Sequence, residues 1–215
     1  MKFSDFSIYM QRLEDTSKRL EMTDILTELI KELSVEETDK AIYLASGYVE
    51  APFEEIKFNI AEKMMLKVIE QTFSTTQKVI TTEEIQDLYR KTGDLGNVIF
   101  ELKKQDQKYN DPTVTEVHSE LLEIALIEGT GSQEGKINKI SSLLKETNPL
   151  SAKHIARIIL GTMRLGFTEL TIIAALANYI GNKSLAKDIE AKYNIHPDIG
   201  LIAKKIKEKG IDGIK

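Results

Sequence analysis

Cysteine is absent from this chain, which excludes both a disulfide framework and a thiolate metal site. The expected setting is a reducing, intracellular one. Long apolar runs are missing too. The richest stretch, Leu170 to Ile180, is too short and interrupted for a bilayer, and the first thirty residues hold no apolar run beyond Ile8-Tyr9-Met10. Neither a membrane span nor a signal peptide is expected. Proline occurs four times, at 52, 112, 149 and 197, each between segments of helical periodicity. Histidine occurs three times, at 118, 154 and 196, with no pair at the i+3 or i+4 spacing of a helical metal site. Each is expected to be an ordinary surface or core residue. No G-x-S-x-G elbow, Walker loop or carboxylate pair stands out. Gly129-Thr130-Gly131 lacks the third glycine, preceding strand and Lys-[Ser/Thr] of a nucleotide loop. Catalysis has no evident home here.

What is present is a chain of 215 residues, 41% hydrophobic and 29% charged, enough to bury roughly 70% of its unfolded surface without a covalent staple. Its net charge of -5 is unevenly spread. Residues 1–55 carry 6 Lys and Arg against 13 Asp and Glu, residues 56–135 carry 9 against 14, and residues 136–215 carry 14 against 7. A basic last third points to a face directed at a polyanion, or to a solvated helical surface.

Apolar residues recur at helical spacing almost everywhere, as in Met22, Ile25, Leu26, Leu29 and in Leu170, Ile173, Ala174, Ala177. Ser34 with Glu37, Thr81 with Glu84 and Thr113 with Glu116 have capping-box spacing, and Pro149 after Asn148 is proline at the first helical position. The fold class is therefore all-α. About twelve helices are expected, near 3–14, 18–33, 35–46, 59–73, 82–92, 94–105, 113–128, 133–146, 149–160, 167–180, 184–193 and 198–209, with one sizeable loop from Gly47 to Phe58.

The two halves of the chain also align with each other. Gly47 meets Gly161, and Leu26, Leu29 and Ile30 meet Ile140, Leu143 and Leu144. After seven extra residues in the first copy, Glu62, Met65, Leu66, Ile69 and Phe73 fall on Glu169, Ile172, Ile173, Leu176 and Ile180. Gly93-Asp94-Leu95-Gly96 matches Pro197-Asp198-Ile199-Gly200, each opening an amphipathic helix. The expectation is one compact domain of two related halves, about 1–108 and 113–215, with an internal pseudo-twofold. Duplex DNA has an approximate twofold of its own.

Glycines cluster where helices begin: Gly93 and Gly96, Gly129 and Gly131, Gly161 and Gly166, and Gly200. A helix start with unsatisfied amides and no bulky side chain suits an anion, and Lys136 and Arg164 stand beside two of these starts. Plain caps and tight turns are the other reading.

Several stretches carry a more specific likeness: Thr92-Gly93-Asp94-Leu95-Gly96, Gly129-Thr130-Gly131-Ser132-Gln133 with Lys136-Ile137, Asn148-Pro149-Leu150-Ser151-Ala152-Lys153, Gly161-Thr162-Met163-Arg164-Leu165-Gly166, and Pro197-Asp198-Ile199-Gly200-Leu201-Ile202-Ala203. In this order and spacing they resemble the N-terminal DNA-binding domain of the archaeal and eukaryotic replicative ATP-dependent DNA ligases. The resemblance implies an all-α domain that grips the minor groove on both sides of a nick, mainly through phosphates. It assigns DNA contact to Gly93, Asp94, Leu95, Gly96 and Asn97, to Thr130, Gly131, Ser132 and Gln133, and to Thr162, Met163, Arg164, Leu165 and Gly166. Thr16, Ser17, Lys18 and Arg19 occupy the place of Thr130 to Gln133 in the first half, with either Lys18 or Arg19 as the contact. Lys136 and Gly200 complete the candidate set.

The same resemblance implies that chemistry lies elsewhere. The family's adenylating lysine sits in a Lys-x-Asp-Gly motif downstream, whereas in Lys209-Gly210-Ile211-Asp212-Gly213 the lysine stands three residues before the aspartate. Lys209 is expected to be a decoy, and this fragment alone inactive and without a cofactor. The full-length ligase would use ATP and Mg²⁺. Expected partners are nicked double-stranded DNA and the ligase's nucleotidyltransferase and oligonucleotide-binding-fold domains, with a sliding clamp as a further candidate and no membrane. The location would be the cytoplasm, at the nucleoid, in an archaeal host and the nucleus in a eukaryotic one. The rival function is an α-helical repeat scaffold for protein partners, in which the glycine loops are turns only.

Overall fold

The structure, a computed structural model, describes residues 1–77, 79–104, 108–163 and 165–214. Among them twelve α-helices follow in chain order: α1 (Phe3–Glu14), α2 (Arg19–Glu32), α3 (Val35–Ala45), α4 (Glu62–Phe73), α5 (Thr82–Thr92), α6 (Leu95–Lys103), α7 (Val114–Leu126), α8 (Ser132–Glu146), α9 (Pro149–Leu160), α10 (Glu169–Ile180), α11 (Ala186–Ile195) and α12 (Ile199–Lys209). Short 3-10 turns occupy Pro52–Glu54, Lys183–Leu185 and Gly210–Ile214. Lys2 and Thr113 form an isolated bridge, and no strand is present among the described residues. The all-α reading holds.

The local signals explain most helix ends. Ser34 with Glu37, Thr81 with Glu84 and Thr113 with Glu116 exchange the reciprocal bonds of a capping box, and the Asn148 side chain accepts from the Ser151 amide ahead of Pro149. Gly93, Gly161 and Gly181 take left-handed conformations that close α5, α9 and α10. Three helices start two or three residues later than their periodicity suggests, α11 because Lys183–Leu185 form a 3-10 turn ahead of it. Asn59 (φ 54) precedes α4 in a left-handed conformation that cannot continue into a right-handed helix, and Thr168 precedes α10 as an extended N-cap.

The chain divides into two compact units that do not follow the expected halves 1–108 and 113–215. The first unit comprises Asp5–Glu55 and Met163–Lys215 with Met1, and the second Ile56–Thr162 with Lys2–Ser4. Each draws three helices from each end or half of the sequence. In the first unit α2 packs on α10 and α3 on α12. In the second α8 packs on α4 and α9 on α6. Adding six to each helix number, and returning to the start after α12, converts the first pair of contacts into the second.

The agreement extends to single residues. Phe6, Met10 and Leu13 of α1 are fully buried, as are Val117, Leu121 and Ile124 at the same spacing in α7. Ile85 of α5 and Ile189 of α11 are each the single buried residue of their helix. Lys207 of α12 donates to the Ile30 and Lys31 carbonyls at 2.6 and 2.9 Å, near the end of α2. Lys103 of α6 donates to the Lys145 carbonyl at 3.1 Å, near the end of α8. In both cases an ammonium meets carbonyls that the last helical turn leaves without intrahelical donors.

The charge gradient along the chain does not become a basic unit. The first unit carries 14 Lys and Arg against 19 Asp and Glu, and the second 15 against 15. Lys204 of α12 lies 2.9 Å from Asp39 and 3.8 Å from Glu36 of α3. The acidic first third and the basic last third thus partly neutralise each other across one helix pair.

Candidate nucleic-acid interface

The expected contact residues fall into two groups according to where their side chains go. Thr16, Ser17, Lys18 and Arg19 form the turn that enters α2, and the last three are exposed. Lys18 stands at the N-cap with extended backbone and no side-chain cap bond. The Lys18 amide instead donates to Thr16 Oγ1 at 3.2 Å, and that hydroxyl donates to Glu21 at 2.7 Å. Gly131 holds the matching place ahead of α8, exposed at φ 82, again with no side-chain cap. Thr130 and Gln133 are exposed and Ser132 half-buried. By contrast, the side chains of Thr81, Asp94, Thr113, Asn148 and Asp198 each accept an amide at the starts of α5, α6, α7, α9 and α12. α2 and α8, which the alignment of the two halves pairs, both leave their first turn without a side-chain cap, as α4 and α11 also do, with the positive end of the dipole toward the surface.

In the first unit two expected segments come together. A Cβ added to Gly166 would lie 3.1 Å from Met22 Cε, so the Gly166 turn sits against α2 one turn beyond Arg19. Met163 and Leu165 are buried and anchor this turn, with Met163 packed beside Gly47 at the end of α3. Arg164 lies outside the described residues. Thr162 closes α9 in the second unit, its amide donating to the Arg157 carbonyl at 2.8 Å.

The Gly93 to Asn97 segment is organised inward. Asp94 accepts from the Asn97 amide at 3.0 Å, from Asn97 Nδ2 at 3.0 Å and from Arg157 at 2.6 and 3.1 Å. Burial pushes the Asp94 carboxyl up, but the Arg157 guanidinium and the Asn97 and Gly96 amides outweigh it and hold the group below its ordinary value. Leu95 is buried in the core. A Cβ on Gly96 would come within 2.9 Å of the Lys153 carbonyl and of Arg157 Cγ. Gly200 has the same job in the first unit, where a Cβ would collide with the Tyr43 ring. Tyr43 donates to Asp198 at 2.7 Å, and Asp198 accepts from the Leu201 amide at 2.8 Å. Gly93 is exposed and Asp94 and Asn97 are half-buried, while Leu95 and Gly96 are buried.

Seven of the expected contact residues have side chains, or glycine positions, engaged inside the protein. The side chains of Asp94, Leu95, Met163 and Leu165 hold loops and helices together, and Gly96 and Gly200 are glycine so that α9 and α3 can approach. Lys136, expected to meet a phosphate, is only 6% exposed and donates to the Phe58 carbonyl at 2.7 Å. Its ammonium is directed at the second unit's own backbone, because a buried carbonyl and a buried cation each need a partner.

Arg157 and Tyr43 are structural partners that sequence reasoning missed, although the alignment of the two halves sets them opposite each other. Lys209 closes α12 as an exposed residue, and Gly210–Ile214 folds back on that helix so tightly that a Cβ on Gly213 would strike the Lys205 carbonyl. No helix among the described residues is long and apolar enough to cross a membrane.

Comparison with known proteins identifies the family. The family described as DNA ligase N terminus matches residues 2–177. A DNA ligase of Sulfolobus acidocaldarius is 38% identical over 228 residues, covering all of this chain and 37% of that protein. DNA ligase 2 of Thermofilum pendens is 35% identical over 226 residues, with the same coverage, and a probable DNA ligase of Dictyoglomus turgidum is 35% identical over 216 residues, covering all of this chain and 36% of its own length. The chain spans little more than a third of these relatives. On its fold, its family match and its full-length similarity, the chain belongs to the family of DNA ligase N-terminal domains.

Proposed function

We propose that this chain is the DNA-gripping module of an ATP-dependent DNA ligase, holding nicked duplex from the minor-groove side while chemistry resides in other domains. The observation that carries this reading is the pair of equivalent helix starts, α2 and α8, both exposed and both without a side-chain cap. A phosphate can accept from amides there, with Lys18, Arg19 and Gln133 at the rim. Such contacts read no base edges, as an enzyme sealing any nick requires. The helix-by-helix agreement of the units supports an internal duplication that offers the two flanks of a nick similar surfaces. ATP and Mg²⁺ belong to the whole ligase, as do its roles in replication and repair.

The test is fluorescence anisotropy of the chain with unrelated nicked duplexes of equal length across a salt series. Similar affinities that fall linearly on a log-log plot against salt are expected. A hundredfold preference for one sequence, or no salt-dependent binding, would sink the reading and favour the protein scaffold. With ATP and Mg²⁺ alone, no covalent AMP adduct is expected on the chain, and a labelled Lys209 would overturn the division of labour.

A further inference from the structure

We propose that Lys57 is a phosphate-binding residue of the second unit, the counterpart of Arg164 in the repeat, on a loop held in place by Lys136. The inference rests on the DNA-binding reading above and adds a contact outside the segments that the family resemblance picks out.

The sequence register that brings Glu62 onto Glu169 extends backwards without a gap. It sets Lys57-Phe58-Asn59-Ile60-Ala61 on Arg164-Leu165-Gly166-Phe167-Thr168, each string a cation, an apolar residue, a third residue, another apolar residue and a helix N-cap. The backbone supports the match at its least common position. Asn59 has φ 54 and Gly166 has φ 76, and Asn59 is one of only two non-glycine positive-φ residues among those described. Asparagine is among the side chains that best tolerate this left-handed region. On the N-terminal side of each turn an apolar side chain is buried, Phe58 in one and Leu165 in the other.

Each loop is also fastened to the corresponding helix. In the first unit Gly166 lies against Met22, the fourth residue of α2. In the second unit the Phe58 carbonyl accepts from Lys136, which is the residue of α8 that aligns with Met22. The loop thereby lies beside the helix that Gly131 opens, while Lys57 itself is exposed. Lys136 fixes the backbone, and Lys57 supplies the cation that Lys136, buried, cannot. Arg164 enters this comparison by its place in the sequence alone.

The experiment compares the whole chain with its Lys57→Gln, Lys57→Arg and Arg164→Gln variants on nicked duplex across a salt series, with thermal melting as the check on folding. Lys57→Gln should weaken binding severalfold by a similar factor on every duplex, and lower the magnitude of the salt slope by about one, with an unchanged melting temperature. Lys57→Arg should restore both affinity and slope, which a merely structural role would not require. If Lys57→Gln leaves affinity and slope unchanged while Arg164→Gln lowers both, the Lys57 assignment is overturned and the DNA-binding reading stands. If the unaltered chain shows no salt-dependent binding, both fall together.

Discussion

The two units do the same thing with different chemistry at one place. In the second, Arg157 of α9 grips Asp94 at the start of α6 with two bonds, at 2.6 and 3.1 Å. In the first, the aligned residue is Tyr43 of α3, which gives Asp198 at the start of α12 a single bond of 2.7 Å. Around these pairs everything agrees: an aspartate caps the helix, a glycine follows two residues later, and the crossing helix lies too close for any side chain on that glycine. The shared need is a short distance between helices with an N-cap carboxylate at the crossing. A buried carboxylate can be satisfied by a cation or by a hydroxyl, and the two solutions should differ in strength and in their response to pH.

The largest expected effect comes from the glycines. Gly96→Ala should cost about 3 kcal/mol, because part of the obstacle is the Lys153 backbone carbonyl, which cannot turn away, and the gain from replacing a helical glycine is only about 1 kcal/mol. Gly200→Ala should cost about 1–2 kcal/mol, since the Tyr43 ring can tilt at the expense of its hydrogen bond. Urea denaturation of both variants checks the order, and a more harmful Gly200→Ala would reverse this reading of the crossings.

Next is the pair itself. Arg157→Met leaves the half-buried Asp94 carboxylate without its cation and should destabilise by about 2 kcal/mol. Tyr43→Phe removes one hydrogen bond while Asp198 keeps its amide partner, and should cost about 1 kcal/mol. Equal losses in matched urea curves would deny the difference between the units.

A smaller effect is the response to pH. The folded Asp94 carboxyl lies below its ordinary value, so its contribution is complete above the unfolded value of about 3.9 and fades as pH falls through the folded value. The stability gap between the unaltered chain and Arg157→Met should therefore narrow on going from pH 5 toward strong acid. Tyr43 shifts the opposite way. Burial, and then the bond to Asp198, raise its phenol, so its contribution is complete below about pH 10 and declines above that. The gap between the unaltered chain and Tyr43→Phe should narrow only in alkali. The smallest effect is expected from Lys136→Met, at about 1 kcal/mol, with weaker DNA binding but an unchanged salt slope, because its ammonium already serves Phe58. A reduced slope in that variant would return Lys136 to the DNA surface.

Most helix ends were legible because they rest on neighbours in sequence. Ser34 and Glu37, or Asn148 and Pro149, meet whenever the chain turns helical between them. Loop conformation was partly legible: Gly166 announces a left-handed turn, but Asn59 takes the same conformation and reads as an ordinary polar residue. The candidate site was legible as segments and not as side chains. Glycine near a helix start fits either an incoming phosphate or a close helix, and only the position of Lys153 and Tyr43 decides for Gly96 and Gly200.

The amino-acid sequence by itself determined that this protein is helical, where its twelve helices begin and end to within a few residues, and which faces of them are apolar. Those properties depend on a period of 3.6 residues and on caps three residues apart, which any reader of the chain can count. Which helix packs on which was decided by tertiary structure alone. α2 meets α10 and α3 meets α12 across more than a hundred residues of sequence, while α1 to α3 and α4 to α6 end in different units. An apolar stripe states that a helix needs a partner and leaves the partner open, because burial rewards any well-fitting apolar face. The same holds for Lys136: its charge is plain in the sequence, and its direction is set by a carbonyl seventy-eight positions away.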